Sequence, residues 1–136
     1  MKLEKIILTE FEKLQIPNLK VEIKSHSEFY SISYKTEDFY YIQVSISSNL
    51  KNSMMNNSNS YLNFWYNKKD KIIEDINFKL EENLKGKGYG RKLTETMEEV
   101  GKKLKCKIVR IYVNINPSFW NHLGYKQIDN LWEKQI

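Results

Sequence analysis

Apolar residues recur at helical spacing near the start of the chain and again in its second half. Near the start, five apolar residues recur at helical spacing, Leu3, Ile6, Ile7, Phe11 and Leu14, and Pro17 follows. This pattern predicts an amphipathic helix over about residues 2 to 15. The same spacing from Leu93 to Leu104 predicts a second helix over about residues 90 to 104.

Between these helices the pattern changes to β-branched and aromatic residues in near alternation, which is typical of strands. Residues 19 to 47 predict a three-stranded meander whose middle strand is FYSISYK, residues 29 to 35. Residues 48 to 60 are rich in Ser and Asn and predict a loop. Residues 61 to 66 and 72 to 81 then predict a hairpin.

After the second helix, the order of elements is predicted to be strand, short helix, strand. The first strand covers about Lys107 to Asn114, and the short helix runs from Pro117 to Leu123, with the proline in its first turn. Tyr125 to Trp132 is predicted as one last strand. We therefore expect a single α+β domain over residues 1 to 136.

The length and composition of the chain limit the classes of protein to which it can belong. A chain of 136 residues is long enough to bury a core without metals or disulfides, and its single cysteine cannot form an internal disulfide. No run approaches the roughly 20 apolar residues that span a bilayer. We expect a cytoplasmic protein with no membrane segment and no metal site. The net charge of +5 suits an anionic ligand, an acidic protein or nucleic acid, but dispersed lysines also form a solvated surface.

Three of the five glycines lie in one stretch, Lys85 to Arg91, with sequence KGKGYGR. Glycines at a helix start allow positive φ and close approach of the backbone, and free N–H groups there attract anions. The stretch is neither a P-loop, which needs GxxxxGK[ST], nor a dinucleotide fingerprint, because Arg91 stands where GxGxxG needs its third glycine. The sequence therefore predicts a phosphate site of another kind.

This stretch resembles the signature of the GNAT superfamily of acyl-CoA-dependent N-acetyltransferases, Gln/Arg-x-x-Gly-x-Gly/Ala between a strand and a helix, with Lys85 in the first position. Phe78 to Leu84 looks like the preceding strand and spacer, and Phe119 to Tyr125 is similar to the family's second motif. The resemblance covers about residues 72 to 126. It implies a mixed, mostly antiparallel sheet of about six to seven strands, flanked by helices and splayed between strands 72–81 and 107–114. The compact GNAT type found among phage and mobile-element effectors would fit this short chain.

The resemblance implies acetyl-CoA as cofactor. The backbone N–H groups of about Lys87 to Lys92 would hold its pyrophosphate, and the main chain of the strand before the loop would bind the pantetheine arm. Basic side chains of the loop would add positive charge that attracts the pyrophosphate or the 3′-phosphate. The cofactor-binding residues expected on this basis are Phe78, Lys79, Leu80, Lys85, Gly86, Lys87, Gly88, Tyr89, Gly90, Arg91, Lys92, Asn116 and Trp120.

A transferase of this type lets an amine attack the thioester directly, so it needs a base for the amine. Glu74 looks like the general-base position of the histone acetyltransferase branch. Strand alternation places Glu74 on one face with Ile76 and Phe78, and Asp75 on the other. Desolvation among apolar neighbours would raise the pKa of Glu74 toward the range of a base. The alternative is an exposed glutamate at a strand end.

The leaving thiolate also needs a proton, and there are three candidate sources for it. Many family members have Tyr where this chain has Trp120, and an indole donates a hydrogen bond but does not protonate a thiolate. Tyr125, His122 or solvent would then supply the proton. A lone histidine in an amphipathic helix also has a purely structural explanation.

The acceptor is expected to be an amine on a protein. Family members usually insert two helices between the first two strands, whereas here an uninterrupted meander is predicted, which would leave the acceptor side open. Two other functions remain: a GNAT-like domain that binds coenzyme A or a partner without catalysis, favoured by the missing tyrosine, and a basic nucleic-acid-binding domain. The latter would stack bases on Phe39 to Tyr41 and Phe64 to Tyr66, although aromatic residues in strands are more often core.

Overall fold

The computed structural model describes residues 2–25, 39–47, 60–81, 84–112 and 116–136. These residues form three helices and seven strands. None of the helices in these ranges is long and apolar enough to cross a membrane. In chain order the elements are α1 (Lys2–Glu12), β1 (Leu19–Ser25), β2 (Phe39–Ile46), β3 (Ser60–Asn67), β4 (Ile72–Lys79), α2 (Tyr89–Lys103), β5 (Ile108–Ile111), α3 (Pro117–His122), β6 (Lys126–Ile128) and β7 (Leu131–Gln135).

The strands form one sheet in the order β1-β2-β3-β4-β5-β7-β6. Every neighbouring pair is antiparallel except β4 and β5, which are parallel. In the described part of the chain, β4 and β5 pair only at Ile72 with Ile108 and at Ile73 with Val109. Beyond these two pairs the strands diverge. The mixed, mostly antiparallel sheet and its splay are therefore as expected from the sequence.

The predicted three-stranded meander is wrong in its connectivity. β1 and β2 pair directly with each other, from Leu19 opposite Ile46 to Ser25 opposite Tyr40. The predicted middle strand, residues 29 to 35, lies outside the described residues. In the sheet, β1 and β2 are direct neighbours. Alternation identifies a strand but carries no information about its partner, which explains the error. The predicted loop 48–60 also lies outside the described residues, apart from Ser60, which begins β3.

The single strand predicted over residues 125 to 132 is in fact the first part of a hairpin. Ile128 pairs with Leu131 across a two-residue turn, and Asp129 in that turn has φ of +55°. Asp tolerates the left-handed region better than most residues, so Asp129-Asn130 is a usable turn. It is β7 that pairs with β5, which leaves β6 at the edge of the sheet. Asn114, predicted as the end of the preceding strand, lies outside the described residues.

Helices α1 and α2 pack on the same face of the sheet, here called the helix face. The ring of Phe11 in α1 lies 6.5 Å from that of Phe64 in β3. Gly101 in α2 packs against Ile73, whose cross-strand partner Tyr66 shares a face with Phe64. The cluster of buried apolar residues on this face also includes Met97 and residues of α3.

A β-bulge interrupts the alternation of β4. Glu74 lies opposite Trp65 and Asn77 lies opposite Asn63, so β4 has one residue more than β3 in this interval. The extra residue is accommodated at Asp75, whose φ is +55°. Side chains therefore change face at this point: Ile73, Ile76 and Phe78 pack against the helix-face core, whereas Glu74 points to the opposite face. The expectation that Glu74 shares a face with Ile76 and Phe78 is wrong for this reason.

Candidate functional site

A cavity of about 730 Å³ lies where β4 and β5 diverge. It is bounded by the C-terminal half of β4, the glycine-rich loop, the end of β5 and helix α3. It brings together eleven of the thirteen cofactor-binding residues expected from the sequence, and only Lys87 and Lys92 do not line it. The lining residues are Ile76, Asn77, Phe78, Lys79, Leu80, Lys85, Gly86, Gly88, Tyr89, Gly90, Arg91, Ile111, Asn116, Phe119 and Trp120.

The glycine-rich loop delivers the N-terminus of α2 to this cavity. Gly86 and Gly88 have φ of +82° and +76°, which side-chain-bearing residues rarely adopt. Gly88 is the N-cap of α2, and no side chain caps the helix there. The next three N–H groups, those of residues 89 to 91, have no partner within the helix, so the N-terminus is suited to hold an anion.

Backbone N–H groups of about Lys87 to Lys92 were expected as donors to a pyrophosphate, but the last of them already has a partner in the helix. The N–H group of Lys92 donates to the carbonyl oxygen of Gly88 at 3.0 Å, which is the first hydrogen bond of α2. The donors expected for an anion are therefore limited to the residues before Lys92. The side chains of Lys87 and Lys92 are both exposed outside the cavity lining. Within the glycine-rich stretch, Lys85 and Arg91 are the basic residues that line the cavity, and Lys79 at the end of β4 lines it as well.

The third glycine of the loop, Gly90, differs from Gly86 and Gly88: it has no positive φ, and its lack of a side chain allows close packing. A Cβ at this position would lie 3.2 Å from Cζ of Phe78 and 3.4 Å from Cε1 of Phe119. The first distance is short for a carbon contact, for which about 3.5 to 4.0 Å is optimal, and the second is at the lower end of ordinary contact. A glycine at this position lets the start of α2 approach the aromatic wall of the cavity.

That wall consists of Phe78 from β4 and Phe119 and Trp120 from α3. The Phe78 and Phe119 rings are stacked, with centroids 5.5 Å apart and an interplanar angle of 15°. Trp120 meets both rings edge-on, at 6.3 Å and 5.0 Å. At the start of α3, the side chain of Asn116 accepts a hydrogen bond from the N–H of Phe119 at 3.4 Å, which caps the helix.

Four residues that line the cavity were not among those expected from the sequence: Ile76, Asn77, Ile111 and Phe119. Phe119 belongs to the aromatic pair that carries the resemblance, so the motif itself pointed to it. Ile76 and Asn77 follow the bulge on β4. Ile111 ends β5 on the far side of the splay, where only the three-dimensional pairing of β4 with β5 brings it near.

Glu74 is buried, with 9% of its surface exposed, so the alternative of an exposed strand-end glutamate does not apply. It precedes the bulge, and its cross-strand neighbour is Trp65, whose ring lies 4.8 Å from that of Tyr41. Glu74 does not line the cavity. It lies on the face opposite the helices, two positions before the lining residue Ile76.

The two candidate acids lie outside the cavity lining. His122 is exposed in α3, with Nδ1 2.7 Å from the carbonyl oxygen of Ser118. Tyr125 is fully buried, and its hydroxyl donates to Oε2 of Glu98 at 2.8 Å. Burial, and after it the nearby charge of Glu98, raises the pKa of Tyr125, which keeps the phenol protonated.

Of the aromatic residues proposed for stacking bases, Phe64 to Tyr66 are buried in the core and Phe39 to Tyr41 are half-buried. Phe64 and Tyr66 belong to the buried cluster on the helix face, Tyr40 stacks on Tyr66 at 6.1 Å, and Trp65 is 6% exposed. Buried rings of this kind offer no surface to a nucleic acid. Among the described residues, no three His, Cys, Asp or Glu side chains gather as ligands for a metal ion.

No protein-family model and no curated protein matches the sequence. Solved structures do match the fold. Tetrahymena GCN5 gives a TM-score of 0.54 at 16% identity, over 71% of this chain and 68% of that protein. An acetyltransferase from Bacillus cereus gives 0.53 at 14% identity, over 81% and 86% of the two chains. A Klebsiella pneumoniae protein assigned as an acyl-CoA N-acyltransferase gives 0.55 at 13% identity, over 86% and 97%.

The chain has the GNAT fold. The resemblance drawn from KGKGYG and FWNHLGY is thereby confirmed at the level of the fold, although sequence identity to these structures is low. The GNAT fold accounts for the seven-stranded sheet, the parallel pairing of β4 with β5 and the position of the glycine loop at the start of α2.

Proposed function

We propose that this protein is an N-acetyltransferase that moves an acetyl group from acetyl-CoA to a primary amine, with a protein as the acceptor. One observation carries the proposal. A single cavity is bounded at one end by a helix N-terminus suited to phosphate and along one side by a strand that diverges from its neighbour. A ligand with a pyrophosphate at one end and a hydrogen-bonding amide arm at the other is complementary to both.

Residues of the loop would hold the phosphates of coenzyme A. The N–H groups of Tyr89, Gly90 and Arg91 would point at the pyrophosphate, and Lys85 and the Arg91 guanidinium would add positive charge. Helix-terminus interactions of this kind contribute about 0.3 to 1 kcal/mol each when exposed. The adenosine end would extend toward solvent beyond the loop.

The pantetheine arm would lie along β4. Residues 78 to 80 line the cavity, and beyond Ile73 this strand is not paired with β5 in the described residues. Backbone groups on that edge of β4 need hydrogen-bond partners, and the two amides of the arm would supply them as an added strand does. The thioester would then lie near Ile76 and Ile111, where the two strands converge.

The acceptor amine would approach from the face opposite the helices, because α1 and α2 already cover the helix face. Glu74 lies on that opposite face, and we propose it as the general base that takes the proton from the attacking amine. The amine nitrogen then forms a bond to the acetyl carbonyl carbon, and the carbon–sulfur bond breaks. The leaving thiolate would take its proton from solvent, since neither Tyr125 nor His122 lines the cavity.

Acetyl transfer to proteins tests the proposal directly. The protein is incubated with acetyl-CoA and a cell lysate, and newly acetylated proteins are identified by mass spectrometry. We expect Glu74→Gln to lower the rate at saturating acetyl-CoA by at least about 100-fold, the usual size of a general-base effect. Glu10→Gln is the matched control, because Glu10 is also a buried carboxylate but lies in α1, away from the cavity. An unchanged rate in Glu74→Gln would exclude Glu74 as the base.

A second function is favoured by Trp120. This residue lines the cavity where family members with catalytic tyrosine have an acid, so the chain would bind coenzyme A without turning it over. Tight binding of acetyl-CoA in calorimetry, with no acetylation of any lysate protein or small amine, would select this function over catalysis.

A further inference from the structure

Glu98 is a buried carboxylate at the centre of a network that joins α2, β7 and the segment between α3 and β6. Only 6% of its surface is exposed, although it carries a charge in the middle of α2. Its Oε2 accepts a hydrogen bond from the hydroxyl of Tyr125 at 2.8 Å, and its Oε1 accepts one from Nζ of Lys134 in β7 at 2.9 Å. Both oxygens of the carboxylate are thus engaged, one by a neutral donor and one by a cation.

The network is connected to the cavity by the contact between the rings of Tyr125 and Trp120. The Tyr125 ring meets Trp120 edge-on, with centroids 5.2 Å apart and planes at 77°. Trp120 in turn lines the cavity and contacts Phe78 and Phe119. Nζ of Lys134 also lies 5.7 Å from the centre of the Tyr125 ring. The orientation of the Tyr125 ring is therefore fixed at its hydroxyl by Glu98 and on its face by Lys134.

Stability alone is a poor explanation for such a network. Burying the carboxylate of Glu98 and partly burying the ammonium group of Lys134 costs free energy that their attraction only partly offsets, and apolar residues of similar volume are often as stabilising as a buried ion pair. A network with directional hydrogen bonds instead fixes geometry. Here the network fixes the ring of Tyr125, which contacts Trp120 in the cavity wall. Burial and the charge of Glu98 also raise the pKa of Tyr125, so the hydroxyl remains a donor.

We propose that Glu98 and Lys134 are positioning residues for coenzyme A, which hold Tyr125 and thereby set Trp120 as the wall against the pantetheine arm. The inference rests on the proposed function of the cavity as a coenzyme A site. It assigns Tyr125 a positioning role in place of the role of an acid. It also explains why a buried charge is found in α2 behind an otherwise apolar and aromatic wall.

The chain contains a matched control for this network. Glu10 in α1 is 7% exposed and accepts hydrogen bonds from Lys103 at 2.6 Å and from Lys13 at 2.8 Å. It is a buried glutamate with cationic partners, like Glu98, and it also involves α2. None of these three residues lines the cavity.

The test compares Glu98→Gln with Glu10→Gln by calorimetric titration of two ligands. The first ligand is coenzyme A, and the second is adenosine 3′-phosphate 5′-diphosphate, which carries the phosphates without the pantetheine arm. We expect Glu98→Gln to raise the Kd of coenzyme A by about fivefold or more, which corresponds to about 1 kcal/mol, with the second ligand unaffected. Glu10→Gln should change neither Kd by more than about twofold.

Equal weakening of both ligands in Glu98→Gln, or no weakening of either, would overturn the inference. Wild-type protein that binds no coenzyme A would overturn the proposed function itself and the inference with it. If Glu98→Gln does not fold, Tyr125→Phe replaces it, since this variant keeps the ring and removes only the hydroxyl. The same selective loss of coenzyme A binding is expected there, and an unchanged Kd would count against the positioning role.

Discussion

Glu74 and Ile76 lie on opposite faces of the sheet although only Asp75 separates them. The bulge at Asp75 is the cause, and it places the proposed base on one face while Ile76 faces the cavity on the other. A regular strand would put both side chains on the same face. The proposed amine and thioester would then have to enter from one direction, where the helices already lie.

The bulge predicts a specific sensitivity at Asp75. Its φ of +55° is costly for a β-branched residue, so we expect Asp75→Val to lower the free energy of unfolding by about 1 to 2 kcal/mol. Urea denaturation followed by circular dichroism measures this loss. Asp75→Asn is the control, because Asn tolerates the same backbone conformation. Equal stability of Val and Asn variants would mean that the bulge does not require a left-handed residue.

Gly90→Val should weaken coenzyme A binding strongly. Its side chain would occupy space now filled by the rings of Phe78 and Phe119, and would push α2 away from the cavity wall. We expect the Kd of coenzyme A to rise by about tenfold or more, equivalent to about 1.4 kcal/mol. Glu99→Val is the control for placing a β-branched residue in this helix, because Glu99 is exposed. Comparable effects of the two substitutions would contradict a packing role for Gly90.

Arg91 forms an exposed ion pair with Glu95, with Nε 3.2 Å from Oε2. This pair competes with any phosphate for the guanidinium. Pairs of this spacing contribute about 0.2 to 0.5 kcal/mol, so Glu95→Gln should tighten coenzyme A binding by about twofold at low salt and by less at high salt. Calorimetry at two ionic strengths measures the effect. Glu99→Gln, which releases Lys102 in a later turn, should leave the affinity unchanged.

The Cys106 thiol should be unreactive in the folded protein. It is 5% exposed, and burial raises its pKa to about 11. Because the thiolate is the reactive form, a thiol reagent at pH 8 should react with it slowly in buffer and rapidly in urea. The time course of absorbance at saturating reagent measures both rates. Rapid stoichiometric reaction of the native protein would contradict this burial.

Glu10 should make the fold sensitive to acid. Its hydrogen bonds, first to Lys103 and then to Lys13, lower the pKa of this carboxyl. A depressed pKa contributes stability above the ordinary glutamate pKa of about 4.3, and that contribution is lost as the pH falls through the lower folded-state pKa. The stability difference between wild type and Glu10→Gln should therefore be largest near neutral pH and shrink in acid. Glu12→Gln, at an exposed position on the same helix, should show no such trend.

Local patterns predicted much of this fold, and long-range relationships account for what they missed. Helical spacing predicted α1 and α2, and the clustered glycines predicted the loop that lines one end of the cavity. The bulge at Asp75 depends on the pairing of β4 with β3. The turn at Asp129 divides residues 125 to 132, which the alternation pattern alone predicts as one strand. The Glu98–Tyr125 contact joins residues 27 positions apart, so no local pattern reports it.

The divergence of β4 from β5 means that the proposed site is preorganised. In the described residues these strands pair at only two positions before they separate, so no further hydrogen bond between them there must break to admit an extended ligand. Ligand binding would then raise the free energy of unfolding of the protein by about 2.7 kcal/mol at a ligand concentration of 100 Kd. The melting temperature itself would report which acyl-CoA the cavity accepts, before any acceptor is known.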